Sequence, residues 1–561
     1  MNEAASATAD FVAKSEERGI VPQPGARIEA QPRFVNFHPS RGFLTPQMPL
    51  SIFVKVSSAA VSTTVVDISV VDLEGTVSTT STEVASEKQI IEIPLSAPAG
   101  YSFGLRATLV DKMTGKSVDT AYSAVDFQDN WFDAPRYAFL SQFGPEESYE
   151  QRADQLAQRH VTAIQFYDWM YRHYQLLPPE DDFTDILGRH LSLQVVRSAI
   201  SAVHEHGMAA VAYGSVYGAE GEYALEHPDE LLYDGTGKPI TLADVFYLQD
   251  VRPGSWRDRI LGEYQRAIRQ LGFDGIHADQ YGTETSGSSA FDQNGHEVDL
   301  GPAMAGMIGA AQDAVVEAGG DGIIFNFVTN WPIRDAAQES QLATYIEVWP
   351  PYTSLASLVD LVREAKSLAP ERQIILAAYM GCAADNPDAA EVATLLTSSS
   401  IHAAGGFHLL LGEGTGILVH AYYPNFVCPG PRFQERLIEH QDFVVRYGRY
   451  LWERSLAYTS TSAVRADELW TIRRAGAEFE TLSLINVDPQ KAWDEIKTSV
   501  PRHDVNVKVS PSWPVSKVYA ASPENPDAVV LPYEQRGNDI VFSVPEIDLW
   551  SLVVMRYEKS T

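Results

Sequence analysis

Residues 273–282, FDGIHADQYG, decide the fold. Asp274 stands before a short apolar run and Asp279 at its end, the profile of a buried strand that leads into a polar loop. Working outward in both directions, seven more short apolar segments follow the same plan: RYAFLSQF from Arg136, VTAIQFYDW from Val161, MAAVAYGS from Met208, GIIFNFVT from Gly322, ATYIEVW from Ala343, QIILAAYM from Gln373 and GFHLLLG from Gly406. Between them EESYEQRADQLAQRH, LQVVRSAISAVHEHG, AMAGMIGAAQDAVVEAGG and SLVDLVREAKSL carry apolar residues at helical spacing. Strand and helix in alternation predict βα units, and eight of them predict an α/β fold, a (β/α)8 TIM barrel, over residues 128–455.

On either side of this region the period changes. LSIFVKVSS, TTVVDISVVD, KQIIEIPL and YSFGLRATLVD alternate apolar and polar residues, which predicts an immunoglobulin-like β-sandwich over residues 30–127, behind an N-terminal extension of residues 1–29. ELWTIRRA, FETLSLINV, VNVKVSP, SKVYAAS, DIVFSVP and WSLVVMRY predict a C-terminal antiparallel β-sandwich over residues 456–561.

The 561-residue chain is 45% hydrophobic, enough to bury a large core. Its 74 acidic residues against 42 basic ones give a net charge of -32, which repels nucleic acid and anionic membrane surfaces and leaves a neutral partner easiest to bind. With only Cys382 and Cys428 there is no disulfide framework and no zinc signature. No stretch approaches 18 uninterrupted apolar residues, so no membrane insertion is expected. The N-terminal MNEAASATADFVAKSEERGI lacks a basic segment followed by an apolar run, so the expectation is a cytoplasmic protein, or a secreted one whose leader was trimmed.

Barrel enzymes react at the C-terminal ends of their strands. The side chains predicted there form one polar and aromatic set: Tyr167, Asp168, Trp169 and His173 after the second strand, Tyr213, Ser215 and Tyr217 at the third, and His277, Asp279 and Gln280 at the fourth. Asn326 and Asn330 follow the fifth, Glu347 and Trp349 the sixth, Tyr379 the seventh, and His408 and Glu413 the eighth. Acetal hydrolysis needs one carboxylate at the anomeric carbon and one carboxyl to protonate the leaving oxygen, a pairing that Asp279 and Glu347 offer. Any strand-end acid can instead cap a helix or hold a loop, and Asp274 is read as such a structural acceptor. His173 and His277 stand equally as ligands or as buried structural histidines. FYDWMYRHYQLLPP from Phe166, with Trp349 and Tyr352, supplies flat faces for sugar rings. No H-x-H cluster appears at the strand ends, so no metal and no cofactor are expected, and chelators should have little effect.

FYDWMYRHYQLLP, AYGSVYGA, FDGIHADQYG, TYIEVWP, AAYM, AAGGFHLLLGEG and YYPNF, in that order, resemble glycoside hydrolase family 66, the dextranases and cycloisomaltooligosaccharide glucanotransferases. The resemblance runs from about Arg136 to Leu451, with flanking β-domains of the family's layout. It implies Asp279 as nucleophile, Glu347 as acid/base, and double displacement with retention on α-1,6-glucan or isomaltooligosaccharides, linear or cyclic. Departures at Ser215, where the family pattern has asparagine, at Asp250 and Val251, where it has Asn-Pro, and at Gly381 imply resized sugar subsites. The cyclising members carry an inserted β-module, and no such stretch interrupts residues 128–455, so hydrolysis is favoured over cyclisation; a cyclising transferase or a hydrolase of cyclic isomaltooligosaccharides is the second reading. A non-catalytic glucan-binding protein is the reading of another class, and retention of both acids argues against it.

Overall fold

A computed structural model describes residues 31–242, 244–281, 289–421, 425–459, 465–466 and 469–558. The extension over residues 1–29 and residues 422–424 of the YYPNF motif lie outside the described residues.

Seven strands pair in parallel, each with its neighbour in the chain: β1 (Tyr137–Leu140), β2 (Ala163–Phe166), β3 (Ala209–Ser215), β4 (Gly275–Asp279), β5 (Gly322–Asn326), β6 (Ala343–Glu347) and β7 (Ile374–Ala377). The segment expected as an eighth strand is split. Its first half, β8 (Phe407–His408), pairs with β7, and its second half, β9 (Leu411–Gly412), pairs with β1. Both edges of the run therefore meet one stretch of chain, and the sheet curls back on itself. Two antiparallel strands, β10 (Gly416–His420) and β11 (Asn425–Val427), complete eleven.

The helices between strands are α1 (Glu150–Ala157), α2 (Leu193–Glu205), α3 (Ser255–Leu271), α4 (Leu300–Glu317), α5 (Leu355–Leu368) and α6 (Glu391–Ala403), with α7 (Pro431–Arg446) after β11. In α2 the buried Leu193, Val196, Ile200 and Val203 recur every three or four positions, which gives the helix one apolar stripe. Gly272 ends α3 at φ 81°, a left-handed cap open to a residue without Cβ. Residues of β1, β2 and β3 are buried throughout, because the helices cover one face and the curled interior the other.

Before this region, a three-stranded and a four-stranded antiparallel sheet share one apolar core that includes Leu50, Ile52, Ile68, Leu105 and Leu109. The strand Gly75–Glu83 has no apolar alternation because it is a polar edge strand of Ser, Thr and one Val, a surface that discourages further pairing. After it, a six-stranded and a four-stranded sheet enclose a second core. Phe479–Ile485 in the six-stranded sheet is buried at every residue. Leu482 and Leu484 face that second core, while Phe479 and Ile485 join the apolar cluster of the curled sheet. No helix among the described residues is long and apolar enough to cross a membrane.

Candidate active site

Strand parity builds the site. On β4 His277 and Asp279 are two residues apart and share the inward face, level in the β3–β4 ladder with Tyr213 and Ser215. On β6 the same spacing aligns Tyr345 with Glu347. The lower layer is aromatic: His277 stacks on Tyr137 with centroids 6.0 Å apart and meets Tyr345 edge-on at 4.7 Å. Burial pushes the His277 imidazole down to about 3, so this floor is neutral and brings no positive charge to the acids above it.

Above the floor Asp279 and Glu347 meet through one amide. Asn326, the last residue of β5, donates from Nδ2 to Asp279 Oδ1 at 2.7 Å and to Glu347 Oε2 at 3.0 Å. Two carboxylates can be met by one group only if both N–H bonds face them, which fixes the orientation of the amide. Tyr213 donates to Asp279 Oδ2 at 2.8 Å, and Tyr379 donates to Glu347 Oε1 at 3.3 Å. The Trp349 ring stands against Tyr379, with centroids 6.3 Å apart, and so backs that donor. Neither acid has an ion-pair partner among the described residues.

Burial raises both carboxyls, and the charge of Asp279 raises Glu347 further, to about 7. Tyr213, Asn326, the Gln280 backbone N–H and the field of His173 oppose the rise at Asp279. Two like charges this close share a proton, and the donors on Asp279 leave that proton with Glu347. The site thus holds an ionised carboxylate beside a neutral carboxylic acid, the pair that acid-assisted displacement at an acetal carbon requires.

Of the other residues expected here, Tyr167, Tyr213, Tyr217, His277, Gln280, Asn326 and Tyr379 line the same cavity as the two acids. Trp349 stands beside Tyr379 and His420 at ring distances of 6.3 and 5.8 Å. Asp168 is raised to about 6 by burial, and its field reaches Asp279. His173 is held by Glu220, with Nδ1 2.9 Å from Oε1, and acts on Asp279 through its field.

Asp168, His173 and Trp349 do not line the cavity, and neither do five more of the expected residues. Trp169 is fully buried, with its indole donating to the Tyr213 carbonyl at 3.1 Å and its ring against Phe273. Ser215 is fully buried. Asn330 donates to Glu364, and His408 is fixed between Ser398 and the Ala378 carbonyl. Glu413 accepts from the Ser141 and Gln142 backbones and pairs with Arg152. Asp274 accepts from Ala210 N–H and His204, the structural role expected of it. Asp250 is tied to Arg252 and Val251 is buried, so neither lines the cavity.

The cavity also takes in Phe139, Gln165, Tyr281 and Tyr345. Gln165 and Tyr345 sit two residues before Tyr167 and Glu347, so carrying the inward parity back one step finds them. The Gln165 Oε1 and Asn326 Oδ1 acceptors are buried without partners among the described residues, which leaves two acceptors for the donors of a bound molecule. Among the described residues no group of three His, Cys, Asp or Glu is arranged to hold a metal ion.

The sequence model of glycosyl hydrolase family 66 matches residues 46–554. A cycloisomaltooligosaccharide glucanotransferase of Niallia circulans is 28% identical over 46% of this chain and 29% of its own length, so the matched part is under a third of that relative. A dextranase of Streptococcus salivarius is 21% identical over 80% of this chain and 66% of its own. The crystal structure of a Paenibacillus sp. cycloisomaltooligosaccharide glucanotransferase complexed with cycloisomaltoheptaose superposes with a TM-score of 0.83 at 19% identity, covering 94% of this chain and all of that one.

Proposed function

The chain belongs to glycosyl hydrolase family 66, and from that premise we propose that it is a retaining hydrolase of α-1,6-glucosidic linkages in dextran or isomaltooligosaccharides. The curled sheet is read here as a closed (β/α)8 barrel over residues 128–455, flanked by β-sandwiches over 30–127 and 456–561, with the reaction at its strand ends.

One observation carries the reading: a single Asn326 nitrogen lies 2.7 Å from Asp279 and 3.0 Å from Glu347. Those two contacts bring one oxygen of each carboxyl to the same nitrogen, a close approach of the kind retaining enzymes use, whose carboxyls stand roughly 5 to 5.5 Å apart. That supports direct attack by a carboxylate. In the first step Asp279 bonds to the anomeric carbon, the bond from that carbon to O6 breaks, and Glu347 gives its proton to O6. In the second, water adds to the anomeric carbon, Glu347 takes its proton, and the ester to Asp279 breaks. Tyr167, Tyr217 and Trp349 supply faces for the sugar rings, and Gln165 accepts from a hydroxyl.

A second reading, transfer to a sugar hydroxyl with ring closure, is favoured by the fold shared over the full length of a glucanotransferase chain. Both readings are tested by incubating the protein with dextran and with linear and cyclic isomaltooligosaccharides and separating the products. Shorter linear products support hydrolysis, rings support transfer, and no cleavage of any of the three ends both.

A further inference from the structure

The strands Phe479–Ile485 and Arg502–Val509 are joined by residues 486–501, a 16-residue connection. The two strands lie in different sheets, and structureless connections longer than about 12 to 15 residues are uncommon and usually functional. This one leaves its own sheets. Trp493 and Ile496 are buried in the apolar cluster of the curled sheet, not in the core between the C-terminal sheets.

The connection lands on the loop that follows β6. Leu355 and Ala356 open α5, where backbone N–H groups lack helical acceptors. They donate instead to the carbonyls of Lys491 at 3.2 Å and Pro489 at 2.8 Å. Ser354 and Ala492 form an isolated bridge, and Trp493 N–H donates to the Thr353 carbonyl at 3.1 Å. The Trp493 indole N–H then reaches the Tyr352 carbonyl at 3.2 Å, while Thr397 of α6 donates to the Trp493 carbonyl at 3.1 Å. Tyr352 N–H in turn donates to the Trp349 carbonyl at 3.1 Å, and the Trp349 ring packs 6.3 Å from that of Tyr379, which donates to Glu347 Oε1 at 3.3 Å. A set of hydrogen bonds therefore runs from α6 through Trp493 to the Trp349 backbone, and the Trp349 ring carries it on to the tyrosine that donates to the carboxyl.

We propose that Trp493 is a positioning residue for the proton donor: it fixes the loop 349–353 so that Trp349, through Tyr379, holds Glu347 in register with the leaving oxygen. The inference rests on the reading of Glu347 as acid/base. It gives the C-terminal β-region a part in the reaction at a site to which it contributes no carboxylate.

Trp493→Phe keeps the apolar body and removes the N–H donor. Loosening Trp349 frees Tyr379 and weakens its bond to the Glu347 carboxylate, so the carboxyl holds its proton to higher pH and the alkaline limb of kcat/KM moves up. Cleavage of isomaltooligosaccharides, whose alcohol must be protonated to leave, is expected to slow about tenfold to a hundredfold. Cleavage of an isomaltooligosaccharyl fluoride, whose leaving group needs little acid assistance, is expected to stay within about twofold. Thr397→Val, which removes only the donor to the Trp493 carbonyl, should shift the same limb less and in the same direction. Equal slowing of both substrates, or an unmoved limb with unchanged rates in both variants, would overturn the proposal. A wild-type protein that cleaves neither substrate would instead overturn the functional reading itself.

Discussion

Buried carboxylates stand at both ends of the curled sheet, and the two ends treat them oppositely. At the end where β1 begins, Asp126 receives both arms of the Arg136 guanidinium, at 2.8 and 2.9 Å, and Arg136 also donates to the carbonyls of His160 and Gly42. At the end where the strands finish, Asp279 and Glu347 face each other with a neutral amide between them and a neutral histidine beneath. A buried charge beside a cation stabilises the fold, and removing its partner is strongly destabilising. Two buried acids without a cation destabilise the native state, and they persist where chemistry uses them.

That contrast can be broken by substitution. Asp279→Asn should lower kcat by at least about 10^4-fold while leaving the circular dichroism spectrum intact and the unfolding midpoint unchanged or raised, since it removes the proposed nucleophile and a repulsive charge together. Arg136→Met should do the reverse, costing about 3 to 5 kcal/mol in denaturant unfolding while the activity per folded molecule is kept. If Asp279→Asn unfolds the protein and Arg136→Met does not, the two ends have been assigned the wrong way round.

Asn326→Ala sharpens the comparison from inside the site. It removes a donor from both acids, so kcat is expected to fall about 10^2-fold and both limbs of the pH profile to move upward, because each carboxyl then holds its proton to higher pH. The smallest effect is in stability. The Glu347 carboxyl is raised from 4.5 to about 7, so its favourable contribution is complete below about 4.5 and is lost as pH climbs through about 7. The unfolding midpoint of the wild type should therefore fall relative to that of Glu347→Gln across this window. A constant difference between the two would mean that Glu347 is not protonated above its ordinary range.

The acids were legible in the sequence because both end an apolar run, where strand alternation still sets which way a side chain points. Beyond the strand that rule lapses. Asp168, Thr329, Asn330 and Glu413 all have left-handed backbone, with φ between 48 and 66°; Asp and Asn adopt it more readily than most residues, but nothing in Thr329 or Glu413 announces the turn. Trp169, Asn330 and Glu413, which stand at or just after those turns, are three of the residues that leave the cavity for the protein interior. Trp349 follows Glu347 at the same distance as Trp169 follows Tyr167, with no left-handed residue intervening, and stays beside the carboxyl. Gln165 and Tyr345 were within reach of the alternation rule, one step farther back along their strands. Trp493 was not, because its place depends on the path of a connection more than 140 residues beyond Glu347.

The spacing of the two acids makes the strongest claim, and stereochemistry reads it most directly. Proton nuclear magnetic resonance of the reducing end freed from an isomaltooligosaccharide, recorded within the first minutes before the anomers equilibrate, identifies the first product. Attack by Asp279 predicts the α-anomer, with retention. First appearance of the β-anomer would mean that water displaces the leaving group directly, and that Asp279 is not the nucleophile.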